Sequence, residues 1–208
     1  MVSRFELGKN CEYALEVCRK LADRYPLELI LMGDFEPHTT DISYQEQLRR
    51  MIKAYEAEPW FRWEPTLVPY PQVLEAYNRF DLCIQLSGAE AGSNSIVELL
   101  GMGKPVIALN ASTNPYLFQG WAYLVEADLE DRPGQLSYQV PRMDCLEEAV
   151  EALVCEGALR AEWGRKGQEL ARRRFHPSLA RQRVALLFAE EPHLLRQQFD
   201  QDRREYAL

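Results

Sequence analysis

Residues 89–109, AEAGSNSIVELLGMGKPVIAL, decide how the rest of the chain reads. Small and polar residues, Gly92, Ser93, Asn94 and Ser95, lead into an apolar run with helical spacing that ends near Leu100, and GMGK then turns into the unbroken apolar segment PVIAL. That order predicts a loop, a helix over 94–100 and a buried strand over 105–109. Two acids, Glu90 and Glu98, bracket the loop. Ser95-Ile-Val-Glu98 has the form of a capping box, in which the acid merely closes the helix start. The other reading is an anion cradle whose flanking acids hold hydroxyl groups.

Working outward, short apolar runs recur at residues 2–5, 27–32 (LELILM), 61–63, 82–86 (LCIQL) and 122–125. Several are apolar almost throughout, as parallel strands covered on both faces require. Between the first two, Cys11, Ala14, Leu15, Cys18, Leu21, Ala22 and Tyr25 keep the three-four spacing of an amphipathic helix, which makes a βαβ unit. Helical segments at 44–57 and 71–79 continue the alternation. The expectation is an α/β fold, a doubly wound, six-stranded parallel Rossmann-like sheet with right-handed crossovers. A loop at 128–140 ends the strands. Asp144 with Glu147 then reads as a capping box for a helix carrying Leu146, Ala149, Val150, Leu153 and Val154. Helices at 158–174 and 177–190 complete a domain over 1–190, and 191–208 is a polar tail.

The chain has 208 residues, 47% of them apolar, enough for one α/β core. Its net charge of −8 gives no footing for nucleic acid, which is bound by neutralising phosphates. Five cysteines, Cys11, Cys18, Cys83, Cys145 and Cys155, are widely spaced without a CxxC, so reduced and mostly buried thiols are expected. With no signal pattern and no apolar run near the ~20 residues that span a bilayer, the expected location is the cytoplasm.

In open α/β sheets ligands sit beyond the carboxyl ends of the strands, where the winding reverses. With strand order 3-2-1-4-5-6, the loops after the first and fourth strands meet there. They are SRFELGKN, offering Arg4 and Lys9, and SGAEAGSNS, offering Glu90, Gly92, Ser93, Asn94 and Ser95 at a helix start. A helix N-terminus presents unpaired N–H groups and partial positive charge to a phosphate, and Gly92 lets the backbone come close. Two cations from the facing loop provide for a second phosphate. Carboxylates repel phosphate, so Glu90 and Glu98 are assigned to sugar or ribose hydroxyls. The sum is a sugar-nucleotide site.

Other motifs fail. In GMGKP the first glycine of a P-loop is replaced by Glu98, Pro105 stands for Ser/Thr, and a strand follows. There is no GxGxxG after the first strand and no GxSxG, and His38, His176 and His193 lack metal or triad spacing. Lys104 reads as complementing the preceding helix dipole, and Trp60, Phe61 and Trp63 as packing residues. The arginine-rich helix after Arg160 reads as a solvated face with Glu162 and Glu169, the alternative being lipid phosphates around a membrane-linked acceptor.

These residues resemble the C-terminal, donor-binding half of the group 1 (family 4) retaining glycosyltransferases of GT-B fold. VSRFELGKN is similar to the family's V-G-R-L-x-x-x-K-G, with Ser3 and Asn10 at glycine positions. EAGSNSIVELLGMGKPVI is similar to E-G-x-x-N-x-x-x-E-A-x-x-x-G-x-P-V-I, with Ala91 where glycine is usual, and Met32-Gly33-Asp34 falls at the second-strand turn. The resemblance, over about residues 1–190, implies that Arg4 and Lys9 hold the diphosphate of a nucleoside-diphosphate sugar and stabilise its departure. It further implies that Glu90 faces the donor sugar, that Gly92–Ser95 offers N–H groups and that Glu98 binds ribose. No metal or other cofactor is implied. An N-terminal acceptor-binding domain outside these 208 residues is implied as a partner. The alternative is a non-catalytic nucleotide-sugar-binding module that needs a separate acceptor domain.

Overall fold

In the computed structural model, which describes residues 1–35, 41–65, 70–89, 93–131, 137–176, 178, 179 and 197, short parallel strands alternate with helices. The order is α1 Cys11–Ala22, β1 Leu29–Met32, α2 Ile42–Tyr55, β2 Phe61–Glu64, α3 Tyr70–Asn78, β3 Cys83–Gln85 and α4 Asn94–Gly101. There follow β4 Val106–Leu109, α5 Asn114–Phe118, β5 Tyr123–Val125, β6 Ala127–Glu130, β7 Tyr138–Pro141, α6 Met143–Cys155 and α7 Gly157–Arg174.

β1 pairs with β2, and β3 with β4 and β4 with β5, all in parallel. The leading segment, residues 2–5, joins these two groups. It is not a full strand: Val2 bridges to Met32 and Phe5 to Phe35, with Ser3 N–H donating to the Met32 carbonyl at 3.0 Å. On its other side the Gln85 side-chain amide donates to the Val2 carbonyl at 3.0 Å. Counting this segment as the first strand, the spatial order is the expected 3-2-1-4-5-6, with five regular parallel strands instead of six. Gly33 permits the close pairing. Its φ is +141°, and a Cβ there would lie 1.8 Å from the Ser3 carbonyl oxygen.

Strand alternation divides the core into two layers. Leu29, Leu31, Ile84, Ile107 and Val125 pack with Leu15, Leu21, Leu48, Val150 and Leu153 on the side of α1, α2 and α6. Cys83, Val106 and Ala108 turn to the opposite face, against Tyr77, Ile96, Leu99, Leu100, Phe118 and Leu170 from α3, α4, α5 and α7. All four residues of β4 are buried, which accounts for the unbroken apolar run. In α1 the buried stripe is Cys11, Ala14, Leu15, Val17, Cys18 and Leu21, with Arg19 and Lys20 in the last turn, where cations complement the helix dipole.

Three expectations are corrected. Residues 128–140 are not simply a loop: β6 and β7 form an antiparallel pair, Ala127 opposite Pro141 and Glu130 opposite Tyr138. The alternation is hidden because one strand turns Asp128 and Leu129 to solvent, so it offers no apolar rhythm. Asp144 and Glu147 make no capping box. Arg142 is the N-cap residue, Asp144 lies inside the first turn and accepts from Arg142 at 3.1 Å, and Glu147 meets Lys20 on α1 at 3.0 Å and Arg24, in the turn after α1, at 2.8 Å. Lys104 donates to the Asn78 carbonyl at 3.0 Å, closing α3 instead of the helix that precedes it. Trp60 and Phe61 are buried, and Trp63 donates its indole N–H to the Gly33 carbonyl, so all three pack. The helix expected over 177–190 and the tail over 191–208 lie almost wholly outside the described residues. No helix among the described residues is long and apolar enough to cross a membrane.

Candidate functional site

The loops after the leading segment and after β3 meet at the carboxyl end of the strands. Gly88 N–H donates to the Gly8 carbonyl at 2.9 Å, which joins the two backbones directly. Lys9, whose side chain is 15% exposed, reaches across to Ser87, Nζ to Oγ at 3.3 Å. Asn10 donates its side-chain amide to the Leu86 carbonyl at 2.7 Å. The topology thus brings the cationic loop against the loop that leads into α4.

Glu6 organises the cations. Its Oε1 lies 3.2 Å from Arg4 and 3.8 Å from Lys9, so both face one carboxylate at the rim. Arg4 is mostly exposed, its side chain retaining 65% of its free surface, whereas Lys9 is drawn inward.

Ser93, buried, is the N-cap of α4, and its hydroxyl lies 2.9 Å from that of Ser95. Asn94 is exposed and Ser95 half-buried in the first turn. The N–H groups of a first turn have no partners within their helix and point outward from its end, which suits an anion. Ser95 and Glu98 do not form a capping box, since Ser95 is already inside the helix. Glu98 accepts from the buried Tyr77 hydroxyl at 3.2 Å. Glu90 and Gly92 lie outside the described residues.

Several neighbours of the site went unread in the sequence. Asn10 has φ +58° and ψ 37°, a left-handed conformation that asparagine tolerates; the glycine recurring at that place in the resembled pattern was the available signal. β6 and β7 approach the same rim. The Gln139 carbonyl accepts from Asn10 at 2.9 Å, and a Cβ on Gly88 would lie 2.3 Å from that same oxygen. Glu130 accepts from Tyr13 at 2.9 Å and from Tyr138 at 3.3 Å. Burial, with the Glu130 hydrogen bond, pushes the Tyr13 hydroxyl well above its usual range, so it stays a donor. Tyr77 gave no signal, because an apolar helix face and a hydroxyl aimed at Glu98 look alike in sequence.

The thiols stand apart from this chemistry. All five cysteines are free, and burial pushes Cys18 and Cys83 up to about 12. On α7, Lys166 pairs with Glu162 at 2.7 Å and Arg173 with Glu169 at 2.5 Å, the interspersed charge expected of a solvated face.

Comparison with curated proteins finds no significant match. Among solved structures, the chain is similar to HepE from Anabaena in complex with UDP and glucose, with 22% identity, a TM-score of 0.70 and coverage of 91% of this chain and 47% of that one. Sucrose-phosphate synthase from Thermosynechococcus elongatus gives 19% identity and a TM-score of 0.68, covering 96% of this chain and 44% of that. The C-terminal domain of a group 1 family glycosyl transferase (LpcC) from Francisella tularensis gives 17% identity and 0.66, covering 83% and 82%. The chain therefore has the fold of a GT-B C-terminal domain and spans about half the length of HepE and of the synthase. The profile of the glycosyl transferases group 1 matches residues 1–170, and the chain belongs to that family.

Proposed function

We propose that this chain is the donor-binding part of a glycosyltransferase that takes a nucleoside-diphosphate sugar. The observation that carries this reading is the junction of the two loops, through Gly88 to Gly8 and Lys9 to Ser87. It sets Lys9 against Ser87 just beyond β3, at the carboxyl end of the sheet; in our reading the start of α4 faces it, and a diphosphate is held from both sides. HepE, similar in fold, is described with UDP and glucose.

In this reading Lys9 and Arg4 neutralise the diphosphate, and Ser93, Asn94 and Ser95 offer N–H groups and hydroxyls from the start of α4. Glu98, aligned by Tyr77, takes the ribose hydroxyls, while Glu90 faces the sugar and Gly92 lets the loop approach a phosphate. During transfer, the bond between the anomeric carbon and the diphosphate oxygen breaks, with its electron pair leaving on the diphosphate. An acceptor hydroxyl oxygen bonds to that carbon and passes its proton to the departing diphosphate. By analogy with the resembled family the new bond forms on the same face. The fixed cations and amides stabilise the charge on the departing group, a task that needs no metal here.

Titration of UDP, GDP and ADP into the chain tests the reading, because a ligand selective for the folded state raises the melting temperature by mass action. We expect one of the three to do so at millimolar concentration, with chelator present, and to be weakened by Lys9→Ala. No shift with any of them would overturn it. A second reading, favoured by the chain's span of 47% of HepE, is a module that binds donor but transfers nothing without a separate acceptor domain. Transfer measured with and without such a domain separates the two.

A further inference from the structure

We propose that Asn10 is the positioning residue of the donor site, a side-chain rivet that holds Lys9, the end of β3 and the β6–β7 pair in one register. The proposal rests on the donor-site reading above and names a group that this reading does not use.

Asn10 is fully buried and sits at the junction between Lys9 and α1. Its amide nitrogen donates twice, to the Leu86 carbonyl at 2.7 Å and to the Gln139 carbonyl at 2.9 Å. These carbonyls belong to segments 76 and 129 residues further along the chain. Two donors on one planar group therefore fix three backbones at once. The side-chain oxygen, also buried, has no hydrogen-bond partner among the described residues. Leaving a buried amide oxygen unsatisfied costs stability, and a residue needed only for its left-handed backbone would avoid that cost as glycine. The donor half of the amide is what offsets it.

The consequence for the site is geometric. Lysine is a point charge on a flexible four-carbon stem, so its contribution to an anion depends on how firmly its backbone and surroundings are held. With the rivet in place, Lys9 stands against Ser87, and β7 lies so close to Gly88 that no side chain fits there. Tyr13, donating to Glu130, clasps the same strand pair to α1, and Tyr138 donates to that carboxylate across the pair. Without the rivet, the carbonyls of Leu86 and Gln139 lose a common donor and the two loops part.

The test uses the whole 208-residue chain and Asn10→Gly, which keeps the left-handed conformation accessible where alanine would add strain. Calorimetric titration with UDP, GDP and ADP is run on the wild type, Asn10→Gly, Lys9→Ala and the double variant, well below the melting temperature of each. Asn10→Gly is expected to weaken the nucleotide about tenfold. Because it acts through Lys9, the double variant should bind no more weakly than Lys9→Ala alone. Wild-type affinity in Asn10→Gly, or losses that multiply in the double variant, would overturn the proposal. Hydrogen exchange without nucleotide supplies the independent arm: the amides of Gly88 and residues 138–140 should exchange faster in Asn10→Gly. If the wild type binds none of the three, the donor-site reading falls, and unchanged exchange at those amides would also remove the rivet.

Discussion

At the amino end of the parallel strands, buried apolar side chains wall a hollow; at the carboxyl end, buried polar groups join segments distant in the chain. Arg160 gives its guanidinium to the carbonyls of Leu153 and Val154, seven and six residues away, and the Met1 ammonium donates to the Ile30 carbonyl, 29 residues along the chain. That end has a hollow of about 270 Å³, bordered by Cys18, Leu29, Ile84, Val150 and Leu153. The carboxyl end owes its shape to Lys9 on Ser87, Asn10 on Leu86 and Gln139, and Gly88 on Gly8. On the proposed reading, an empty volume is a poor guide to function in this fold. Convergence of remote segments through buried polar groups is a better one, since holding such groups costs desolvation that packing alone does not repay.

The sharpest way to break this comparison is to damage each end and read both properties. Leu153→Ala, at the wall of the hollow and fully buried, should cost about 2–5 kcal/mol of stability and leave nucleotide affinity in the folded fraction unchanged, as checked by denaturant unfolding and calorimetry. Lys9→Ala should do the reverse. Losing a charge-assisted contact of about 1.5–3 kcal/mol would weaken the nucleotide by one to two orders of magnitude, and the remaining affinity should depend less on salt. Loss of affinity in Leu153→Ala equal to that in Lys9→Ala would erase the distinction between the two ends.

The same contrast explains what could be read in the sequence. The alternation of strands and helices and their covering on both faces were legible because buried strands such as VIAL are apolar over their length and helices keep one face, as in the Cys11–Leu21 stripe, whereas the strand order was taken as the usual one for this fold class. Lys9 and the start of α4 were legible as charge and small residues placed by topology. β6 and β7 were not, since β6 turns Asp128 and Leu129 to solvent and the buried part of β7 is too short, Tyr138 and Val140 alone alternating, to show a period. Nor was Asn10, whose importance lies in two carbonyls supplied by backbone, which carries no residue identity. The capping boxes failed for a related reason: Glu147 and Glu98 have the right spacing, but Lys20 and Tyr77 from other helices and Arg24 from the turn after α1 take them.

Glu98 provides a finer test on the carboxyl end. If it takes ribose hydroxyls, Glu98→Ala should remove the preference for the ribonucleoside diphosphate over its 2′-deoxy form. Tyr77→Phe, which deletes only the hydroxyl that aligns Glu98, should reduce the same preference by about 1 kcal/mol, roughly fivefold. Paired titrations of the two nucleotides with each variant check this. A preference that survives Glu98→Ala would move the ribose contact elsewhere.

The smallest effect belongs to Arg79, which borders the hollow and forks onto Glu64, the last residue of β2, at 2.9 and 2.6 Å. The guanidinium, mainly through its hydrogen bonds, holds the Glu64 carboxyl below its ordinary value of 4.5. A carboxylate depressed in the folded state stabilises it above the unfolded value, and that stability is lost as the pH falls through the folded one. Arg79 is nearly half exposed, so the pair is worth about 0–1 kcal/mol. Unfolding free energies of the wild type and Arg79→Ala should differ by no more than that at neutral pH and converge as the pH drops below 4.5. A gap that persists in acid would mean that Arg79 supports the wall of the hollow by packing along its aliphatic stem. Its charge would then be incidental, and the amino end would be governed by shape alone.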